Sequence, residues 1–244
     1  MDSGFYATFT GLSTRMDELE LIANNLANTS TTGFKAHLSF YRSLPAWLQP
    51  SLSNSLNSVV NQFGVLGGER IDLAPGNLQT TGNPTDVALQ GDGFFTVQTG
   101  NGLRYTRDGN FRLNTQRQLV TAQGDPILGD QGAIQIPDGP VTISQDGTLS
   151  VNGAVVSKLK ITGFASPQQL KAEGSTYFAA DAGAGKVLSD AQVIQGSLES
   201  SNSNPIRATI SLMELQRTAQ IMEKALYIFH NEFNRSAAQD IGRV

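Results

Sequence analysis

The stretch GFYATFTGLSTRMDELELIANNLANTSTTGFK, Gly4 to Lys35, decides the architecture. Within it Phe5, Phe9, Leu12, Met16, Leu19, Ala23 and Leu26 recur at alternating spacings of four and three. That spacing keeps apolar side chains on one face of an α-helix, as the a/d seam of a coiled coil. Asp2 or Ser3 can cap such a helix, and Gly33 after Thr29–Thr32 marks its release, which predicts a rod of about 25 residues, roughly 40 Å long. The other end of the chain repeats the pattern at Leu212, Leu215, Ala219, Met222, Leu226, Phe229 and Phe233, with Asn204 as cap and Pro205 at the first helical position. Matching seams at the two ends predict an antiparallel coiled-coil pair within one chain, with the middle looped out.

Apolar residues also lie off both seams, at Leu21, Ile22, Ile206, Ile210, Ile221 and Ile228. A simple helix pair leaves these in water, so the helices are expected to meet something further. Gly4, Gly11, Asn24 and Asn25 in the first helix and the β-branched residues of the second are weak helix formers. Both ends should therefore be marginal alone and gain order from neighbouring subunits. The tail Arg235 to Val244, with Ala237, Ala238, Ile241 and Gly242, extends past the second seam.

Between the ends, Gly64, Gly67, Gly68, Gly76, Gly82, Gly91, Gly93, Gly100, Gly102 and Gly109 punctuate short alternating runs. Seven runs read as strands: Val87–Leu89, Phe94–Val97, Phe111–Leu113, Gln118–Val120, Val141–Ile143, Leu149–Val151 and Leu159–Phe164. Asp-Gly, Asn-Gly and Gly-Asp pairs supply the turns between them. The expected class is α+β, mainly β, with a central antiparallel β-sandwich or barrel-like domain. Serine-rich Pro45–Asn61 reads as an extended linker anchored by Trp47. The domain boundaries are then 1–35 for the first helix, 36–75 for the linker, 76–200 for the β domain and 201–244 for the last helix.

The chemistry of enzymes and metal sites finds little purchase. With no cysteine, disulfides, thiolate ligands and cysteine nucleophiles are excluded. His37 and His230 are not in metal-ligand spacing. Gly183-Ala184-Gly185-Lys186 fails as a phosphate loop, because Ala180 stands at the first glycine and Val187 at the hydroxyl position. It reads as a hairpin turn. Asp125, Asp130, Asp138 and Asp146 sit in turns without the alternating acids of a calcium loop. No Gly-x-Ser-x-Gly elbow occurs, and a pair of carboxylates in the β domain is the one enzymatic option left open. A net charge of −4 supplies no basic footprint for nucleic acid. No apolar run approaches a bilayer span, and the opening MDSGFYATFTGL has no basic-then-apolar pattern of a secretory signal.

Ala23-Asn24-Asn25-Leu26-Ala27-Asn28-Thr29-Ser30-Thr31-Thr32-Gly33-Phe34-Lys35 closely resembles the amino-terminal signature of flagellar rod and hook proteins. In physical terms Ala23 and Leu26 stay on the seam, the asparagines offer amides to nearby backbone, and Gly33 supplies a conformation other residues resist. Gly76–Leu89, Gly91–Phe95, Tyr105–Phe111 and Gly196–Asn202 resemble further segments of the family, in the same order. The resemblance implies a non-enzymatic rod subunit with no cofactor, exported unfolded through the flagellar type III apparatus without a cleaved signal, and built into the periplasmic basal-body rod among other rod subunits. The length, the Met1-Asp2 opening near Tyr6 and the modest middle are similar to a proximal rod subunit; the tail Arg235–Val244 departs from proximal and distal subunits alike. The alternatives are a distal rod or hook-type subunit, or a β-domain adhesin or binding protein whose helical ends oligomerise.

Overall fold

The structure is a computed structural model and describes residues 2–42, 65–181 and 184–241. The chain forms helix α1 at Asp2–Ala27 and helix α2 at Pro205–Ile241, and the described residues between them are strands and turns apart from one 3-10 turn at Pro167–Gln169. Proline opens α2 at a position where its missing N–H has no intrahelical acceptor to lose. No helix among the described residues is long and apolar enough to cross a membrane. Two compact units emerge: one of Met1–Leu26, His37–Arg70 and Pro205–Val244, the other of Ala27–Ala36 and Ile71–Asn204. The expected β domain, 76–200, lies inside the second unit, which also takes in the last residues of the signature.

The β unit is built on a six-stranded sheet in the order Leu170–Glu173, Tyr177–Ala180, Gly102–Thr106, Phe94–Thr99, Ile161–Phe164, Lys186–Leu188, every pairing antiparallel. Successive strand residues point to opposite faces, and both faces are covered. Phe95 and Val97 join a core with Val87, Leu89, Phe111, Leu119, Ile127 and Leu149. Phe94 enters a second core with Tyr105, Leu170 and Phe178. The rings meet edge to face, Phe94 with Phe178 at 5.5 Å and Phe95 with Phe111 at 5.0 Å, the arrangement their quadrupoles favour.

A three-stranded sheet of Val141–Ile143, Thr148–Val151 and Ala154–Lys158 adds to the first core. All seven expected strands form, within a residue or two of their expected limits. The barrel-like part of the expectation is corrected: the large sheet ends in free edges at Leu170–Glu173 and Lys186–Leu188, and no barrel closes among the described residues. Closure is unnecessary because a separate core covers each face. The expected linker 36–75 is also more structured at its flanks than its composition suggests. His37–Arg42 and Val65–Ile71 pair as a two-stranded sheet, a pairing masked by Gly67 and Gly68, which weaken the strand pattern of VLGGERI. Pro45–Asn61, with Trp47, lies outside the described residues.

Candidate functional site

In the helical unit, Asn25 is a buried polar residue near the end of α1. Its Nδ2 donates to the His37 carbonyl at 2.7 Å and its Oδ1 accepts from the His37 N–H at 2.8 Å. One side-chain amide thereby satisfies both backbone groups of a residue twelve positions on, as a neighbouring strand would. Beyond Ala27 the chain turns rather than continuing as helix: Thr31 donates its N–H to the Asn28 carbonyl and its hydroxyl to the Asn28 side chain, both at 3.1 Å. The asparagines therefore act on nearby backbone, as the sequence suggests.

Within the β unit, Gly33 adopts φ +66°. Its N–H donates to the Glu199 carbonyl at 2.8 Å, and a Cβ at this position would collide with the backbone N of Asp108. Thr32 donates its hydroxyl to Asp108 Oδ1 at 2.6 Å. Burial raises the Asp108 pKa above the usual carboxyl range, and the Thr32 and Asn110 hydrogen bonds only partly oppose it. Phe34 and Lys35 follow, both buried.

Lys35 Nζ contacts Glu199 Oε1 at 2.6 Å and the Ala74 carbonyl at 2.8 Å. Glu199 Oε1 also accepts from the Gly76 N–H at 2.8 Å, while Oε2 lies 3.4 Å from the Arg107 guanidinium. Arg107 donates to the Gly91 carbonyl at 2.7 Å and lies over the Phe94 ring, 5.2 Å from its centroid. Burial lowers the pKa of both cations, and the Glu199 carboxylate opposes that shift in each. Asn202 closes the arrangement: Oδ1 accepts from the Ala36 N–H at 2.7 Å, and Nδ2 donates to the carbonyls of Asp72 at 2.8 Å and Ala74 at 3.0 Å. Three chain segments, 32–36, 72–77 and 199–202, are thus clasped by polar contacts, with the Lys35–Glu199 pair buried at their centre. Lys35 falls within the amino-terminal signature, whereas no local pattern in the sequence assigns a role to Arg107, Asp108, Glu199 or Asn202. The available signal was a lone glutamate inside Ser197–Glu199, a strand buried at every position.

The seam residues divide. On α1, Leu12, Leu19 and Leu26 are half-buried, whereas Phe9, Met16 and Ala23 are exposed, and the buried positions among the described side chains are Gly11, Thr14 and Asn25. On α2 the seam is the sheltered face: Leu215 and Ala219 are buried, and Leu212, Met222 and Leu226 half-buried. Ile206, Ile210, Met213, Ile221 and Ile228 form an exposed apolar line on another face, Ile206 being 70% exposed. The side chains of Phe5, Phe229, His230 and Phe233 lie outside the described set.

Among the described residues no cluster of acids and histidines could hold a metal. His37 Nδ1 lies 3.2 Å from Glu69. Asp146 accepts from the N–H and hydroxyl of Thr148, as turn chemistry predicts.

A body of antiparallel sheets, clasped where the chain leaves and re-enters helical segments, defines a mainly β protein carried between two terminal helices. Comparison with known proteins specifies it. The profile of the flagella basal body rod protein family matches residues 5–35, and that of the flagellar hook protein FlgE/F/G D1 domain matches residues 88–151. The flagellar basal-body rod protein FlgF of Caulobacter vibrioides is 34% identical over 251 residues, covering 100% of both chains. FlgF of Salmonella typhimurium is 31% identical, covering 93% of each, and FlgG of Borreliella burgdorferi 31% identical, covering 95% of this chain and 96% of the relative. The chain belongs to the flagellar basal-body rod protein family and is FlgF-like. It is a structural subunit of the basal body, not an enzyme.

Proposed function

We propose that the chain polymerises into the rod through its terminal helices, packing against other copies and against neighbouring rod subunits, and that the packed helices carry torque. The observation that supports this is the exposed line Ile206, Ile210, Met213, Ile221 and Ile228 on a helix whose other face is already sheltered at Leu215 and Ala219. Leaving that line in water forgoes about 25 cal/mol for each Å² of apolar surface that a neighbour would cover. Knobs packed into holes resist sliding, because displacing each one exposes an apolar side chain whose burial is worth about 1.5 to 3 kcal/mol. On this reading the subunit is a proximal one, exported unfolded through the flagellar type III apparatus into the periplasmic rod without a cleaved signal. It binds no nucleic acid.

Replacing Ile210 and Ile221 together by Asp tests the assembly face. Unchanged circular dichroism with loss of rod incorporation and motility is the expected result; normal rods overturn the proposal. The antiparallel coiled-coil pairing of the two seams is a separate part of it. The chain has no cysteine, so Met16→Cys with Met222→Cys reports only that pair. A disulfide in the free chain is expected, and its absence under oxidation overturns the pairing.

A further inference from the structure

The strand Lys186–Leu188 pairs with Ile161–Phe164 on one side, and among the described residues no strand pairs with its other side. A cleft of about 550 Å³ spans this strand and its paired neighbour, lined by Lys158, Lys160, Ile161, Lys186, Val187 and Ala191, among others. Three of the six lysines of a chain with net charge −4 therefore contribute to the walls of one cleft. Lys158 is neutralised by Asp146 at 3.4 Å, and Asp130 adds the cleft's second carboxylate. Lys160 and Lys186 form no ion pair among the described residues. Lys186 is held over the Tyr105 ring, 5.5 Å from its centroid, and Val187 is 47% exposed beside it.

We propose that this edge receives an extended acidic segment of another polypeptide as an added strand. An edge strand presents unpaired N–H and C=O groups, and an incoming strand satisfies them along its length. Alternate side chains of that strand point one way, so carboxylates at every second position meet Lys160 and Lys186 while the intervening residues cover Val187. Lysines on an edge repel basic segments and strand an unpaired charge against apolar ones. The same two lysines that guard the edge therefore select an acidic partner. This surface belongs to the β unit alone and does not depend on how the terminal helices assemble.

The test uses the full chain and a fluorescent synthetic peptide of alternating Glu and Val, read by anisotropy. Binding that weakens with salt is expected. Lys160→Glu with Lys186→Glu should reduce affinity about ten-fold or more, equivalent to at least about 1.4 kcal/mol. Lys171→Glu should leave it unchanged, because Lys171 pairs with Asp181 away from the cleft. A peptide N-methylated at every residue keeps its charges but cannot donate from either edge, and should lose binding. Absence of binding overturns the proposal. Equal binding of the N-methylated peptide, or of inositol hexakisphosphate, also overturns it, marking a site for anions in general rather than for a strand.

Discussion

Lys35 Nζ and Glu199 Oε1 lie 2.6 Å apart, with both side chains 1% exposed, although 164 positions separate them in the chain. A buried pair repays its desolvation only when its remaining donors and acceptors are also satisfied. Here the Ala74 carbonyl, the Gly76 N–H and Arg107 do so. Glu199→Met strands two buried cations and should cost at least about 3 to 5 kcal/mol. Lys35→Met leaves Glu199 its contacts to Gly76 and Arg107, and should cost less. Urea unfolding of the two variants gives the order.

Gly33 and Gly82 share a left-handed backbone, φ +66° and +75°, but differ in surroundings. A Cβ at Gly33 meets the backbone of Arg107 and Asp108, whereas one at Gly82 meets nothing within 4 Å. Gly82→Ala should cost only the conformational penalty, about 1 to 2 kcal/mol. Gly33→Ala adds a collision with backbone that cannot move cheaply, and should destabilise clearly more. Thermal melts of both variants check the difference.

Asn25→Ala removes both bonds to His37. It should cost about 1 to 3 kcal/mol, since it also leaves backbone groups without partners. Hydrogen exchange at the His37 amide should accelerate in the variant, and an unchanged rate would show that the amide is protected some other way.

Asp108 gives the chain a pH dependence of definite sign. Its pKa is raised by burial in the folded state, so the unfolded chain ionises first as pH rises. The contribution of the protonated carboxyl to stability is full below the ordinary value of about 3.9 and is lost as pH climbs through the raised folded value. Asp108→Asn keeps an oxygen for the Thr32 hydroxyl and the Asn110 N–H and removes this loss. Urea midpoints should show the variant gaining on the parent as pH rises from about 4 to neutrality; parallel profiles would refute the assignment.

The sequence by itself determined the helical ends, the β middle and the turns, because each depends on local periodicity and on residues that prefer particular backbone conformations. Gly33 is the clearest case: lacking a Cβ, it takes a left-handed φ at little cost where the chain leaves the helix and its turn. The sheltered stripe of α2 at Leu215 and Ala219 was also legible, since one helical face collects the long apolar residues. On α1 the tertiary structure chose differently. It buried Gly11, Thr14 and Asn25 and left Phe9 and Met16 outside, and at Asn25 a two-bond amide contact to His37 takes the place of apolar bulk. The clasp joining Lys35, Arg107, Glu199 and Asn202 was wholly a tertiary outcome. No local spacing relates residues so far apart, and charge in a sequence reads as solvent-facing until the fold surrounds it with partners.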